Sequence, residues 1–464
     1  MMGAQNTVRW SVFGLVLASI AAAPAAAQPV ECQWAPLGLG LTEGFSPPPD
    51  AMHVYDDGTG PALFVAGFFL RAGGQPASGV AKWDGSAWSD LDGGTFFGGP
   101  QALQGYDDGT GPALYAAGEF FEAGGRPIEK IARWTPVGGW EEVGGGLDAG
   151  GGFALALATF DDGTGAALYV GGIIDAAGGV PVNNIARWDG TQWTDVGGGV
   201  SGTVDAMTVF DDGSGPALYV SGRITAAGGE PVNGIAKWDG TQWMALGPGL
   251  RSDDGTTVVS SLTIYDDGAG PTLVAGGKFD RTGDGGVTDL HNIARWDGST
   301  WSPLGDGVVG WSDTLVTVQA MTVFDDGDGD RLYVGGYFLR DRGGPGDNLA
   351  AWDGRHWSEV GDGLEGTVFS LDVFDSGDGP QLVAGGSFTE VDGQTVNHIA
   401  RLTGCAQACR VDLFADGVLD FFDVLVFQNL FDARDPRADF DGNGEFTIFD
   451  FLIFQNEFVA GCSF

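Results

Sequence analysis

The sequence predicts an all-β, seven-bladed β-propeller that is followed by a small α-helical domain with paired calcium-binding loops. Two observations lead to this prediction. A motif of Asp, then Asp or Ser, then Gly recurs seven times at intervals of 50 to 59 residues, and repeats of this length are typical of solenoids and propellers. A segment that begins at Asp412 returns 27 residues later at Asp439.

Each repeat contains four short runs with strand character. In the fourth repeat these runs are "VDAMTVFDDG", "PALYVSGRI", "NGIAKWDG" and "TQWMALG". Alternating apolar residues between Gly, Asp and Pro turns predict antiparallel strands. Four strands in each of seven repeats predict a closed ring of blades, because radial closure protects the sheet edges. The predicted propeller covers residues 32–404.

The register of the repeats predicts how the ring closes. The segment "CQWAPLG" near the N-terminus supplies only a fourth strand, whereas the last repeat stops after its third strand, "IARLTGC". The N-terminal strand is therefore expected to complete the seventh blade. On this register Cys32 and Cys405 occupy the same turn position, and we predict a disulfide between them. The alternative partner of Cys405 is the nearby Cys409.

Tryptophans recur at two positions of the repeat, and this regularity predicts packing between blades rather than sugar binding. The third-strand position holds Trp83, Trp134, Trp188, Trp238, Trp296 and Trp352, with Leu402 in the seventh repeat. The fourth-strand position holds Trp34, Trp88, Trp140, Trp193, Trp243, Trp301 and Trp357.

The paired aspartates, such as Asp161 and Asp162, are predicted to form turns rather than a catalytic or metal site. Aspartate bonds to its own backbone in turns, and the glycine that follows accepts a positive φ. A catalytic site needs different residues from different blades, whereas these copies are nearly the same, with Ser376 as the one replacement of the second Asp. None of the four histidines stands in a pair with metal-ligand spacing.

Residues 1–27 are predicted to be a secretory signal peptide. They carry one charge, Arg9, then the apolar run "WSVFGLVLASIAAA", and end in alanines at 25–27, as a cleavage site of the A-x-A type requires. Since no later stretch is apolar enough for a membrane helix, we expect a protein that is secreted or held at the cell surface. A net charge of −41 disfavours binding to nucleic acid or anionic membranes.

Residues 405–464 are predicted to form a second domain with two twelve-residue calcium loops. The segment "DFDGNGEFTIFD" places oxygen ligands at positions 1, 3, 5, 9 and 12, a backbone carbonyl at 7 and Gly at 6. The predicted ligands of this second loop are Asp439, Asp441, Asn443, the Glu445 carbonyl, Thr447 and Asp450. Those of the first loop are Asp412, Asp416, the Val418 carbonyl, Asp420 and Asp423. Phe414 takes position 3 of the first loop and cannot coordinate, so weaker binding is expected there.

Two family resemblances follow from these motifs. The segment "VAGGSFTEVDGQTVNHIARLTG", residues 383–404, resembles the bacterial delta-sixty repeat and related kelch-like propeller units, which implies a propeller but no single activity. Paired loops that end in Asp, each followed by one apolar helix, resemble a type I dockerin of the variety that ends in Gly-Cys.

The dockerin resemblance implies calcium-dependent docking to a cohesin-like protein or a cell-surface receptor. It also implies a disulfide between Cys409 and Cys462 that joins the ends of the domain. Dockerins commonly place small polar recognition residues at loop positions 10 and 11. Here those positions hold Phe421, Phe422, Ile448 and Phe449, which implies a more apolar receptor.

Together these observations predict an exported, non-catalytic binding or structural protein with calcium as its cofactor and a glycan or protein ligand on a propeller face. The alternative is a carbohydrate-active propeller enzyme, because dockerins often occur on such enzymes. That alternative requires a pocket at the central channel with acids confined to one or two blades. Four segments that interrupt the repeat are the predicted ligand contacts: 95–100, 251–257, 283–291 and 310–317.

Overall fold

A computed structural model describes residues 32–403, apart from 97, 149, 151, 310–315, 328, 339–346 and 362, and residues 411, 413, 419, 421–434, 438, 440 and 446–460. The chain forms two compact units, one spanning Glu31–Gln407 and the other containing Ala408–Phe464. The predicted signal peptide and three of the four cysteines, Cys405, Cys409 and Cys462, lie outside the described residues.

Within the described residues, the first unit contains seven antiparallel sheets of four main strands, which we name A to G in chain order. Sheet A consists of Leu41–Asp56, Pro61–Ala72, Val80–Trp83 and Trp88–Asp90. Sheet B consists of Pro100–Asp107, Pro112–Gly118, Ile131–Thr135 and Gly139–Glu142. Sheet C consists of Ala154–Asp161, Ala166–Gly172, Ile185–Trp188 and Trp193–Asp195.

The next three sheets repeat this order of strands. Sheet D consists of Val204–Asp211, Pro216–Gly222, Ile235–Trp238 and Trp243–Ala245. Sheet E consists of Val258–Asp266, Pro271–Lys278, Ile293–Trp296 and Trp301–Pro303. Sheet F consists of Thr317–Asp325, Asp330–Tyr337, Leu349–Trp352 and Trp357–Glu359.

Sheet G takes strands from both ends of the unit. Its first three strands are Val368–Asp375, Pro380–Gly386 and Ile399–Thr403, and its fourth is Gln33–Pro36. Gln33 pairs with Thr403 and Pro36 with Ala400, which is the closure that the register of the repeats predicts. Cys32 precedes this pairing and is disulfide-bonded. Its pairing with Cys405 stays a prediction.

Two-residue strands form small hairpins and bridges between the main sheets. They are Gln75–Pro76, Thr95–Phe96, Glu122–Ala123, Leu147–Asp148, Ala176–Ala177, Val180–Pro181, Val200–Ser201, Ala226–Ala227, Glu230–Pro231, Leu250–Arg251, Arg281–Thr282, Glu390–Val391 and Gln394–Thr395.

The first strand of each sheet lines a common axis. It contacts the first strands of the two neighbouring sheets, and the first strand of sheet A contacts that of sheet G. One cavity, the central channel, is lined by residues from all seven first strands. The unit is therefore mostly β and has the architecture of a β-propeller.

Packing between neighbouring sheets forms the core, and the tryptophans contribute as predicted. Trp193 lies against Trp188 with ring centroids 5.2 Å apart, and its Nε1 donates to the Val143 carbonyl of sheet B. The fourth-strand tryptophans of sheets A, B, D, E and F also donate to a carbonyl at the preceding sheet. These indoles are therefore structural links between sheets.

The second unit contains two helices, Phe421–Ala433 and Ile448–Ala460. They begin and end 27 residues apart, so the duplication in the sequence is retained in the structure. Phe427 and Phe454, one from each copy, stack with ring centroids 4.3 Å apart and are buried together with Val411, Ala438 and Phe440. No helix among the described residues is long and apolar enough to cross a membrane.

Candidate functional site

The first aspartate of each repeated turn caps its own backbone. Asp161 Oδ1 accepts hydrogen bonds from the amides of Gly163 and Gly165 at 2.9 and 3.0 Å. The same two bonds occur in all seven sheets. The prediction of a turn is confirmed for this residue.

The second aspartate holds the turn to the rest of its sheet. In sheet D, Asp212 Oδ2 lies 2.6 Å from Lys237 Nζ on the third strand and accepts the Tyr219 hydroxyl at 2.8 Å. Burial raises the pKa of Asp212, but hydrogen bonds from Lys237, Ser214 and Tyr219 outweigh it and hold that pKa below the usual range. Equivalent ion pairs join Lys82 to Asp57, Arg133 to Asp108, Arg187 to Asp162 and Arg295 to Asp267.

Sequence reasoning missed this ion pair, although a basic residue directly before the third-strand tryptophan was the available signal. Sheets F and G lack this ion pair and have other polar contacts in its place. In sheet F that position is Ala351, and Arg331 of the second strand reaches Asp326 instead, at 3.0 Å. In sheet G, Ser376 replaces the second turn aspartate, and Arg401 donates to Gln381 Oε1 instead, at 3.1 Å. The partners thus replace one another within a structural network that holds the turns to their sheets.

The positions that differ between repeats lie at the other end of the first strand. Every first strand has a β-bulge six residues before its turn aspartate. The bulged residues, which we call the bulge ring, are Asp50, Gln101, Leu155, Asp205, Ser260, Gln319 and Phe369. Bulges commonly redirect a side chain next to a functional site. Six residues of strand place this ring about 20 Å from the turns.

All seven bulge-ring residues line one cavity of about 490 Å³, the mouth cavity, at one end of the central channel. A volume of this size falls within the range of small-molecule sites. Arg223 and Lys278 also line it. Lys278 ends the second strand of sheet E, Arg223 follows that of sheet D at the equivalent position, and Glu119 holds this position in sheet B.

Among the described residues that line the mouth cavity, Asp50 and Asp205 are the two with carboxyl groups, and they come from sheets A and D. Burial raises the pKa of Asp50 to about 7. Burial also raises the pKa of Asp205, to about 6, against the opposing charge of Arg223. Lys278 Nζ binds Asp254 Oδ2 at 2.7 Å and Thr256 Oγ1 at 2.6 Å. The cavity therefore combines acids, amides, hydroxyls, an aromatic ring and basic groups.

Three of the four predicted ligand-contact segments meet beside this cavity. Residues of 251–257 line an adjoining cavity of about 580 Å³ together with Arg223 and Lys278. Ser252, Asp289 and His291 line a third cavity, of about 200 Å³, which also includes Lys278. Of segment 310–317, Val316 and Thr317 line the mouth cavity, and 310–315 lie outside the described residues. Segment 95–100 forms the strand Thr95–Phe96 and ends next to Gln101.

Two half-buried titratable residues, His53 and Asp372, each lie three residues after a bulge-ring residue on the same strand. His53 Nε2 accepts the Gly105 amide at 3.0 Å, and burial lowers the pKa of His53. Burial raises the pKa of Asp372 to about 6, and the Val373 and Val54 amides oppose that rise. Both side chains join neighbouring strands and have a structural explanation.

Three of the predicted calcium ligands lie within the described residues of the second unit. Asp423 and Asp450 are each the third residue of a helix, and both are fully buried. Asp450 Oδ2 accepts the Thr447 amide at 2.7 Å, while Thr447 Oγ1 accepts the Phe449 amide at 3.2 Å. This reciprocal pair caps the helix. The other predicted ligands, Asp412, Asp416, Val418, Asp420, Asp439, Asp441, Asn443 and Glu445, lie outside the described residues.

Comparison with known proteins identifies similarity over part of the chain. A family described as a domain of unknown function (DUF5122) beta-propeller matches residues 381–404. No curated protein sequence matches the chain.

Solved structures match parts of the chain at low sequence identity. The extracellular domain of a hybrid two-component system protein from B. thetaiotaomicron is 10% identical with a TM-score of 0.46, and the match covers 80% of this chain and 39% of that one. A second structure, the extracellular domain of a one-component system protein from the same organism, is 10% identical with a TM-score of 0.45. That match also covers 80% of this chain and 39% of the other. The GH74 enzyme from Niastella koreensis is 10% identical with a TM-score of 0.14, and the match covers 74% of this chain and 72% of that one. This chain thus spans 39% of the length of the first two structures.

Proposed function

We propose that the seven sheets are the blades of one seven-bladed propeller, and that the protein is an exported, non-catalytic ligand-binding protein. We further propose that its C-terminal domain, residues 405–464, is a calcium-binding dockerin-like module that docks the propeller to a cohesin-like or other surface receptor. One observation carries the binding function: the repeats are nearly uniform at the turns, whereas the seven bulge-ring positions around the mouth cavity hold five different residue types.

Uniform and variable positions have different physical meanings in a repeat protein. A residue that caps a turn or pairs two strands has the same task in every blade, and it therefore recurs. A residue that contacts an asymmetric ligand has a different task in each blade. The bulge ring contains two acids, two amides, a hydroxyl, an aliphatic and an aromatic side chain, as a small-molecule site requires.

The described residues of the second unit fit a pair of calcium loops. Asp423 and Asp450 are fully buried, and a buried carboxylate requires hydrogen bonds or a cation. Carboxylate, amide and carbonyl oxygens are the donors that calcium takes, and position 12 of such a loop supplies a carboxylate at the start of the exiting helix. When bound, calcium would neutralise these carboxylates and hold each loop against its helix.

The proposed docking face is apolar and is present in both copies of the duplication. Phe421 and Phe422 are 67% and 54% exposed, and Ile448 and Phe449 are 62% and 63% exposed. Exposed large apolar side chains at equivalent positions of both copies are the feature that favours an interaction site. A receptor with an apolar surface fits this face better than one that binds small polar residues.

Calcium removal from the full-length protein tests the docking module. We expect hydrogen exchange in 421–433 and 448–460 to increase at least tenfold in chelator, because structural metal binding contributes folding energy. The double substitution Asp439→Asn and Asp441→Asn should produce the same increase with calcium present, whereas the propeller peptides should not change. Exchange that is independent of calcium would disprove this part of the proposal. Peptide mapping without reduction tests the proposed Cys32–Cys405 and Cys409–Cys462 disulfides.

A glycan and metabolite array tests the binding function. We expect the full-length protein to retain a ligand, and substitution of bulge-ring residues to abolish retention while Ser376→Ala, on the opposite end of the blades, leaves it unchanged. If a ligand is still retained after the bulge-ring residues are substituted, the binding site lies elsewhere in the protein.

A second candidate function is hydrolysis of a polysaccharide. The observation that favours it is the raised pKa of two carboxyl groups, Asp50 and Asp205, in one cavity at the channel. A general acid at neutral pH needs such a pKa. Release of reducing sugar that is lost in both Asp50→Asn and Asp205→Asn would support this function over simple binding. Binding of a glycan without any turnover would exclude it for that glycan.

A further inference from the structure

One side of the mouth cavity presents acceptors and an aromatic ring without a basic group. Phe369, Asp50 and Gln101 are the bulge-ring residues of sheets G, A and B, which are neighbours around the channel. Among the described residues, no side chain forms an ion pair or hydrogen bond with the Asp50 carboxylate. Gln101 Oε1 is buried and accepts no hydrogen bond from the part of the chain that the structure describes.

Buried acceptors without donors are costly, and proteins rarely retain them without a reason. A carboxylate and an amide oxygen on adjacent sheets can both accept from one group that carries several N–H donors. The third member, Phe369, offers an aromatic face, which attracts cations. A primary ammonium group satisfies all three residues at once, whereas a neutral hydroxyl leaves the charge of the carboxylate unpaired.

The other side of the mouth cavity carries the basic groups. Lys278 is already bound to Asp254 and Thr256. Arg223 is exposed and forms no ion pair within the described part of the chain. The Asp205 carboxyl group of the same cavity senses the charge of Arg223 but is not ion-paired with it among the described residues. The guanidinium can therefore bind an anionic group of a ligand through two parallel hydrogen bonds.

We propose that the mouth cavity binds a small zwitterionic molecule, whose ammonium group lies between Asp50, Gln101 Oε1 and the Phe369 ring and whose anionic group lies on Arg223. This inference rests on the proposed binding function and specifies its ligand class. A cavity of about 490 Å³ is large enough for an amino acid or a short peptide, since one water occupies about 30 Å³ in the liquid.

Calorimetry on the full-length protein with three matched probes tests the assignment. The probes are 6-aminohexanoate, which carries both charges, hexylamine, which lacks the carboxylate, and hexanoate, which lacks the ammonium. We expect 6-aminohexanoate to bind most tightly and hexanoate not to bind measurably. Asp50→Asn should weaken both amine probes at least tenfold. Arg223→Ala should weaken 6-aminohexanoate at least fivefold and hexylamine less than twofold.

Glu119→Gln is the matched control, because it makes the same carboxyl-to-amide change at a rim position that does not line the mouth cavity. It should leave all three affinities unchanged, and thermal melts should show that each variant is folded. Failure of both amine probes to bind, or equal effects of Asp50→Asn and Glu119→Gln, would overturn the inference. If a glycan from the array binds and depends on the bulge ring while no amine does, the ligand class is wrong but the proposed binding function stands.

Discussion

Lys237 and Asp212 form a 2.6 Å ion pair that joins the third strand of sheet D to the turn between its first and second strands. Their side chains are 12% and 4% exposed. The pair is repeated in four other sheets and replaced by different partners in sheets F and G. The turn aspartates therefore belong to the framework of the propeller.

Removal of one member of this pair should destabilise the propeller. Asp212→Ala leaves Lys237 without its partner in a poorly solvated position, and we expect a loss of about 3 kcal/mol in the free energy of unfolding, as for other broken buried pairs. Ser376→Ala changes the equivalent residue of sheet G, where no carboxylate exists, and should cost about 0.5 kcal/mol or less. Urea denaturation measures both, and equal losses would contradict the structural role of the ion pair.

The indole hydrogen bonds between sheets should be measurable with a matched pair of substitutions. Trp140 and Trp34 are both fully buried, but only Trp140 Nε1 has an acceptor, the Leu91 carbonyl at 2.7 Å. Trp140→Phe should therefore cost about 1 kcal/mol more than Trp34→Phe, because it breaks an indole hydrogen bond, whereas Trp34→Phe removes a buried donor that has no acceptor among the described residues. Chemical denaturation of the two variants gives the difference. A larger loss in Trp34→Phe would contradict this explanation.

The buried acids should make stability decrease as the pH rises above about 4. Asp372 has a pKa of about 6 in the folded protein and about 3.9 when unfolded. The folded state therefore binds the proton more tightly between these values, and its advantage is lost as the pH rises through 6. Asp372→Asn removes this dependence and should be more stable than the wild type at pH 8 by about 2 kcal/mol.

Asp189 provides a control of opposite sign for the pH measurement. Burial raises its pKa, but hydrogen bonds from Thr191 and Gln192 dominate and lower the pKa to about 2. Its contribution is present above pH 4 and is lost as the pH falls toward 2, so Asp189→Asn should lose stability at pH 7. Thermal melts from pH 3 to 8 distinguish the two variants. If the melting temperatures of Asp372→Asn and the wild type change with pH in parallel, Asp372 is not the source of the pH dependence.

The cap of the last helix should contribute to its order without calcium. Thr447→Ala removes the Oγ1 that accepts the Phe449 amide, and a lost cap costs about 1 kcal/mol. In chelator we expect amides in the first turn of 448–460 to exchange about fivefold faster in this variant. The helix 421–433 serves as the internal control and should not change. Unaltered exchange in both helices would show that Thr447 does not cap in solution.

Most of the propeller framework follows from the sequence, because its signals are local and repeated. Alternating apolar runs and Gly-rich turns predict the strands, and the unmatched fourth strand at Gln33 predicts the pairing with Thr403. The turn aspartates and the tryptophans also recur at fixed positions, so their structural roles are evident before the fold is known. The helices of the second unit are predicted by the apolar runs that follow the two loops.

The mouth cavity and the ion pairs were decided by the tertiary structure. Asp50 and Asp205 lie 155 residues apart, and only closure of the ring brings them to one cavity. A β-bulge depends on how two strands pair, so no local pattern marks the bulge ring. In the same way, Asp212 meets Lys237 because the third strand folds back beside the turn. Local periodicity determined which residues build the blades, whereas long-range pairing determined which side chains share a site.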